Sequence, residues 1–359
     1  MVSRSPIEWT EQTWNPIVGC SIVSPGCTNC YAMTMAARID KMTLQSHYAG
    51  LTKKVNGKQA WTGKLALAGD YAFHAPLRRR KPTTYFVNSM GDLFHEDCPD
   101  EWIDKVFAVM ALTPHHTYQV LTKRAKRMRD YFTARSEAKR NSLIAEAAAA
   151  IANHDKRASE LHYLAGHNWS LAEWPIPNVW LGVSTERQKE ADDRIPELLA
   201  TPAAVRFVSA EPLLGPVDLS ILHGPDSAPV GHPLVDIGAL RLIEGLDWVI
   251  VGGESGRGAR PMSIQWAREL RDQCARAGVS FFFKQWGEWR PAGSHRAGDP
   301  GRFAFGDYEY DRTAMVQVDG YPRQFTMFGA RSTMQRVGKK AAGRLLDGVE
   351  HNGFPKVPA

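Results

Sequence analysis

Cysteine is scarce in this chain: five residues among 359, an odd number. That count excludes a disulfide-stapled framework and points to a reducing compartment. Apolar runs are short, and none approaches the roughly 20 residues needed to cross a bilayer. No membrane partner is expected. The opening Met1-Val2-Ser3-Arg4-Ser5-Pro6 has no apolar core, so it does not read as a secretory signal and the expected location is the cytoplasm. Carboxylates are outnumbered, 38 against 44 Lys and Arg, which leaves a net charge of +6. Such a balance suits a nucleic-acid partner without establishing one. There is no P-loop and no dinucleotide fingerprint: Gly252-Gly253-Glu254-Ser255-Gly256 has the glycines but neither the spacing nor a following lysine.

What cysteine there is lies concentrated. Three of the five fall in the stretch from Trp14-Asn15-Pro16-Ile17-Val18-Gly19-Cys20 to Pro25-Gly26-Cys27-Thr28-Asn29-Cys30-Tyr31-Ala32. Cys27 and Cys30 form a C-x-x-C pair, and Cys20 lies upstream across a loop. Three thiolates with one open position suit a four-iron cluster that keeps one iron free, and equally a catalytic zinc that keeps a water position. The run from Tyr31 to about Asp40 reads as a helix, so the sulfurs stand at a helix N-terminus, where negative charge is favoured. The ordinary readings are free thiols, or a structural zinc completed by His47, His74 or His95. Spacing alone leaves iron–sulfur and zinc both open. Cys274 reads as a buried apolar residue on a helix, and Cys98 stands before Pro99 at a helix start.

Apolar β-type runs recur along the chain at residues 84–89, 117–122, 178–184, 204–209, 246–252 and 279–283, after a short first strand at Trp14–Val18. Helical stretches separate most of them, for example 99–112 and 264–277. Largely apolar strands alternating with helices are the pattern of a parallel sheet covered on both faces. The expected fold is therefore α/β, a partial parallel (β/α) barrel of about six strands, with a doubly wound open sheet as the competitor. The expected domains are residues 1–288 and a loop-rich, β-containing extension at 289–359. An Ala- and Glu-rich insertion at 133–170, around Ala147-Ala148-Ala149-Ala150, reads as a solvated accessory helix. Residues 44–80 read as irregular, ending in the basic Arg78-Arg79-Arg80-Lys81, a solvated loop in the ordinary reading and a phosphate contact in the minority one, and residues 337–348 read as a basic helix.

In such a barrel the site forms at the carboxyl ends of the strands. Those ends carry Asn88, Ser89, Asp92, Thr122, Lys123, Ser184, Thr185, Glu186, Ser209, Glu211, Gly252, Gly253, Glu254, Lys284 and Gln285. The three glutamates suit a general base or the hydroxyls and ammonium of a nucleoside cofactor. Their ordinary alternative is an ion pair with Lys123, Arg206 or Lys284. Gly252 and Gly253 either admit a ligand close to the backbone or form a tight βα turn.

The Asn-Pro-x-x-Gly-Cys and Cys-x-x-Cys-Tyr-Ala segments resemble the cluster loop of spore photoproduct lyase-like radical S-adenosylmethionine enzymes, with a longer gap between first and second cysteine. From Ile7-Glu8-Trp9-Thr10 to Leu346-Asp347-Gly348 the chain is similar to phage-associated three-cysteine-motif proteins of unknown function. The segments carrying that likeness include Asn88-Ser89-Met90-Gly91-Asp92-Leu93-Phe94, Leu121-Thr122-Lys123-Arg124, Ser209-Ala210-Glu211-Pro212 and Phe283-Lys284-Gln285-Trp286-Gly287. The resemblance implies a radical-enzyme-like partial barrel, a 4Fe-4S cluster on Cys20, Cys27 and Cys30, and bound S-adenosylmethionine. It further implies a reductant protein as electron source. With the basic charge, it points to modification or repair of DNA or RNA, or of a nucleobase. The other class is a nucleic-acid- or partner-binding protein, serving a phage- or operon-encoded partner, whose zinc or iron–sulfur site is structural.

Overall fold

Branched and aromatic residues fill seven short runs, and each becomes a strand of one sheet: β1 (Gln12–Trp14), β2 (Thr84–Val87), β3 (Thr117–Thr122), β4 (Val179–Ser184), β5 (Val205–Ala210), β6 (Trp248–Gly252) and β7 (Ser280–Gln285). The structure is a computed structural model, and it describes residues 5, 7–42, 46–164, 174–220, 243, 245–291, 313–317 and 331–356. The strands are parallel and lie in the order β1-β2-β3-β4-β5-β6-β7. A doubly wound sheet reverses its strand order at a switch point. This one runs straight through and curls into a half-barrel, as the alternation of apolar runs and helices predicts. Every residue of β4 and of β6 is buried, as expected when both faces are covered.

The first strand lies upstream of the one expected at Trp14–Val18 and shares only Trp14 with it. It stops at Trp14, and Ile17–Val18 leave the sheet to pair antiparallel with Ala66–Leu67. Pro16 has no N–H to offer the ladder. The helices are α1 (Tyr31–Met42), α2 (Asp100–Leu112), α3 (Ala125–Thr133), α4 (Glu137–His154), α5 (Lys156–Leu164), α6 (Gln188–Leu199) and α7 (Ile264–Ala277). Pro99 caps α2, and the Ser263 hydroxyl accepts a backbone N–H at the start of α7. The chain divides into two compact units, residues 1–183 with 194–207, and residues 184–193 with 208–359.

Within the first unit, two expectations fail. Residues 44–80 contain a β-hairpin, Thr52–Val55 with Lys58–Trp61. Asn56 and Gly57 link its strands, both at positive φ (49° and 77°), and this pair is the strongest short hairpin signal in a sequence. The insertion is also not a solvated helix. Its described part is α4 and α5, and α4 packs on α2. Ile144, Ala148 and Ile151 are buried at helical spacing, a stripe obscured by the surrounding alanines. Arg140 is buried too, its guanidinium 4.5 Å from the Trp174 ring. Residues 165–170 of the insertion lie outside the described residues.

In the second unit, the described part of the C-terminal extension includes an antiparallel sheet of Trp289–Pro291, Arg331–Arg336 and Thr313–Gln317, in that order. Residues 292–312 and 318–330 lie outside the described residues. The closing helix is only Lys339–Ala342, bounded by Gly338 and Gly343. Two glycines in six residues remove the propensity needed to extend it.

Between α2 and β3, His116 is 1% exposed. Its ring meets Tyr85 edge-on at 5.2 Å, and Nε2–H donates to the Pro76 carbonyl at 3.2 Å. Burial, with His115 adding, pushes its pKa down to about 4. In the unfolded chain the ring titrates near 6.5. The neutral ring thus favours the fold fully above that value, and the contribution is lost as pH falls from there toward about 4. Unfolding in urea at neutral pH and near pH 5 is expected to differ by about 2 kcal/mol from this group. His116→Gln should flatten that part of the pH dependence; an unchanged profile would show that His116 is not its source.

Candidate metal centre

The cysteine loop hangs between two backbones that touch. The Gly19 N–H donates to the Met90 carbonyl at 3.1 Å, and Gly19 bridges Gly91 in parallel. A Cβ on Gly91 would stand 2.8 Å from the Ile17 carbonyl oxygen, so only glycine permits this approach. Cys27 closes a 3-10 turn at Pro25–Cys27. Cys30 directly precedes α1, and the free amides of Ala32 and Met33 hydrogen-bond its sulfur. Cys20 and Cys30 rest against an apolar cluster of Val18, Ala32, Met33, Ala36, Leu51 and Trp61.

Burial dominates the electrostatics of this loop. It pushes the Cys20 thiol up to about 12, with Asp92 adding and Arg124 opposing. It also raises Cys30, against the pull of the α1 amides and of Lys123. Each of these two sulfurs also feels Cys27. Among the described residues no three His, Cys, Asp or Glu side chains stand together as a metal site. The three thiols are therefore a donor set of suitable chemistry, soft and on one loop, and not an assembled cage.

Beneath the loop lies a network that the strand-end reading missed. Arg124 follows β3 and is 5% exposed; Asp92 follows β2 and is 4% exposed. The guanidinium Nη1 donates to Asp92 Oδ2 at 3.0 Å and to Cys20 Sγ at 3.5 Å. Nη2 donates to Ser21 Oγ at 2.6 Å, and Nε to Glu96 Oε2 at 2.7 Å. Asp92 also accepts from the Thr122 hydroxyl at 2.6 Å and from the backbone N–H groups of Phe94 and Lys123, each at 3.1 Å. Both residues lie in segments that stand out in the sequence, Gly91-Asp92-Leu93-Phe94 and Leu121-Thr122-Lys123-Arg124. An Asp and an Arg at adjacent strand ends were the available signal.

Of the three candidate histidines, His95 comes nearest the loop. Its Nδ1 accepts the Asp97 N–H at 3.1 Å, which leaves Nε2–H to donate to Ser21 Oγ at 2.9 Å. His74 faces Asp155 at 3.5 Å and His47 lies against Tyr48. Cys274 is a buried core residue as expected, and Cys98 is buried as well.

In the second unit the strand-end carboxylates are engaged. Glu211 receives Lys284 Nζ at 2.7 and 2.9 Å, one of the ion pairs of the ordinary alternative. Glu254 is held by Arg260, whose Nε and Nη2 donate at 2.8 and 2.6 Å; that partner differs from Lys123, Arg206 and Lys284. Glu186 is fully buried and Ser184 nearly so. A Cβ on Gly253 would stand 2.1 Å from the Trp286 carbonyl oxygen, which makes this glycine a close backbone contact. Lys123 belongs to the first unit, beside Cys30.

A parallel half-barrel with a three-thiol loop after its first strand defines the class: an α/β barrel with a candidate metal centre. The chain belongs to the family described as "Protein of unknown function (DUF5131)", whose model matches residues 4–355. No curated protein matches it. Among solved structures it is similar to spore photoproduct lyase complexed with dinucleoside spore photoproduct, at 10% identity and a TM-score of 0.36 over 94% of this chain and 71% of that one. A Tyr-to-Phe variant of that lyase matches with the same values, and a Cys-to-Ser variant at 12% identity and TM-score 0.36 over 77% and 75% of the two chains.

Removing one partner of a buried pair leaves the other charge uncompensated, which typically costs about 3–5 kcal/mol. Asp92→Asn is expected to destabilise the fold by that order in urea unfolding. Glu96→Gln, whose side chain is 60% exposed, should cost far less. Equal effects of the two would overturn this ranking.

Proposed function

We propose that the chain is an iron–sulfur, S-adenosylmethionine-dependent radical enzyme acting on a nucleic acid or nucleobase, in modification or repair. The observation that carries the reading is the loop itself: three thiols, two of them C-x-x-C, following the first strand of a parallel half-barrel. Cys20, Cys27 and Cys30 would hold the cluster. A four-iron cluster with S-adenosylmethionine supplies, when bound, one-electron cleavage of the sulfonium and a carbon radical that takes hydrogen from substrate. The chain's own part is positional. Arg124 offers a charged hydrogen bond to the Cys20 sulfur, the α1 amides donate to the Cys30 sulfur, and both cysteines, themselves half-buried, pack against the apolar cluster. A reductant protein would deliver the electron. Ser184, Glu186, Glu211, Gly252, Gly253, Glu254 and Lys123 remain the candidates for cofactor contacts.

A second reading keeps the metal structural, as zinc or iron–sulfur, in a binding protein that serves a phage- or operon-encoded partner. What favours it is His95, the histidine that reaches the residue next to Cys20 and would suit a three-Cys, one-His zinc.

Anaerobic purification separates the two. The expected protein is brown and binds iron. Cys20→Ala, Cys27→Ala and Cys30→Ala should each lose most of that iron, while Cys274→Ala keeps it. With S-adenosylmethionine and a reductant the loaded protein should release 5′-deoxyadenosine. Iron content unchanged in all three loop variants would end the cluster reading, and zinc in place of iron would favour the second.

Glu211→Gln and Glu254→Gln keep size but remove charge. At least one is expected to weaken S-adenosylmethionine binding about 10-fold or more, the scale of a hydrogen bond to a charged group, with iron content unchanged. Calorimetric titration giving wild-type affinity in both would remove these carboxylates from the cofactor's contacts.

A further inference from the structure

The stretch that holds the cysteine loop is strongly basic. From Gln12 to Gly69 there are six Lys or Arg (Arg38, Lys41, Lys53, Lys54, Lys58 and Lys64) against the single carboxylate of Asp40, a surplus of five in a chain of net +6. All six cations are exposed. Two exposed lysines elsewhere sit on carboxylates, Lys126 on Asp130 and Lys189 on Asp193, each at 2.7 Å. Among the described residues none of the six has such a partner.

The same stretch is also where apolar side chains reach solvent. Of the ten large hydrophobic residues that are exposed among the described residues, six lie here: Ile22, Val23, Tyr31, Met35, Met42 and Val55. Tyr31, Met35, Arg38 and Met42 follow one another at three- and four-residue steps along α1, and so share one side of it. The hairpin of Thr52–Val55 and Lys58–Trp61 packs on α1, with Trp61 in the same apolar cluster that Cys20 and Cys30 rest on. One core thus carries the cysteine loop, the α1 stripe and the basic hairpin.

We propose that α1 and this hairpin form a nucleic-acid docking face, with the hairpin lysines on the phosphate backbone and the apolar side chains of the stripe toward the bases. Uncompensated cations interleaved with apolar and aromatic groups are what a polyanion with stacking faces requires. An acidic protein or a membrane surface offers the charge without the bases. The proposal rests on the nucleic-acid part of the function proposed above. It differs from the expectation that placed phosphate on Arg78-Arg79-Arg80, where Arg78 is already engaged with Tyr71, its guanidinium 4.4 Å from the ring.

The test is fluorescence anisotropy with a labelled DNA single strand and its duplex across a salt series. Removing three phosphate contacts should lower the slope of log affinity against log salt by about 2 to 3. We expect that drop for the triple variant Lys53→Gln, Lys54→Gln, Lys58→Gln, and no drop when the same three are changed to Arg. Lys126→Gln with Lys189→Gln should leave the slope unchanged, and thermal melting checks that each variant folds. An unchanged slope in the glutamine triple variant, or a slope carried by Arg78-Arg79-Arg80 instead, overturns the proposal. No salt-dependent binding by the wild type, or capture by anionic vesicles alone, overturns it together with the nucleic-acid reading. A lowered slope in a protein that makes no 5′-deoxyadenosine supports this face and sinks only the radical chemistry.

Discussion

The buried ion pair between Asp92 and Arg124 is the constraint on which the cysteine loop depends. Two charges at 4% and 5% exposure give up their hydration, and only complete hydrogen bonding offsets that loss. Here it is nearly complete. Asp92 accepts from a hydroxyl and two backbone N–H groups besides the guanidinium, and Arg124 spends its remaining donors on Ser21, Glu96 and the Cys20 sulfur. The pair joins three segments that are remote in sequence: the loop after β2, the end of β3 and the loop after β1. An apolar pair of equal volume could fill the space, but it could not fix the direction of a thiol. Specificity of position is the best physical reason to keep such a pair in the interior.

The thiols stand under opposed influences of unequal size. Burial favours the neutral thiol, while Arg124, Lys123 and the first amides of α1 favour the thiolate. At Cys20 and Cys30 burial wins, and these two sulfurs keep their protons. A metal would reverse the balance, because it binds the thiolate and expels the proton. The cationic groups then matter most, since they neutralise charge that the apolar cluster cannot. The same elements therefore serve the protein in either state: the cluster holds the loop in place, and the donors prepare it for negative charge.

Much of this was legible in the sequence, and the reasons for success and failure are physical. Strands β2 to β7 were readable because buried parallel strands are continuous apolar runs, and α7 because Ser263 and Gly278 mark its ends. The first strand was read at Trp14–Val18, displaced from Gln12–Trp14, because Ile17 and Val18 carry the apolar pattern that the polar Gln12 and Thr13 lack, and the missing N–H of Pro16 ends the pairing. The hairpin was present as Val55-Asn56-Gly57-Lys58 and was passed over, since its strands are polar on both faces and lack alternation. The insertion misled for the opposite reason. Alanine counts little as a hydrophobic residue, so the buried line of Ile144, Ala148 and Ile151 was hidden among its neighbours. The pairing of Asp92 with Arg124 escaped because a pair distant in sequence leaves no spacing to read. Each alone looks like an ordinary polar residue at a strand end.

In the second unit the two engaged glutamates differ in how freely they can change partners. Lys284 is 12% exposed and Glu211 19%, so opening that pair leaves both groups half in the interior. Arg260 is 35% exposed while Glu254 is 5%. Arg260 can swing to water at modest cost while its backbone N–H still donates to Glu254 Oε2 at 2.8 Å. A ligand ammonium or hydroxyl group can then take the place of the guanidinium. A side chain at Gly253 would meet the Trp286 carbonyl and one at Gly287 the Glu254 carbonyl, each at 2.1 Å, so the main chain beside Glu254 is closely packed. On these grounds Glu254 is better suited than Glu211 to bind something that comes and goes, and Glu211 better suited to hold its strand end in place.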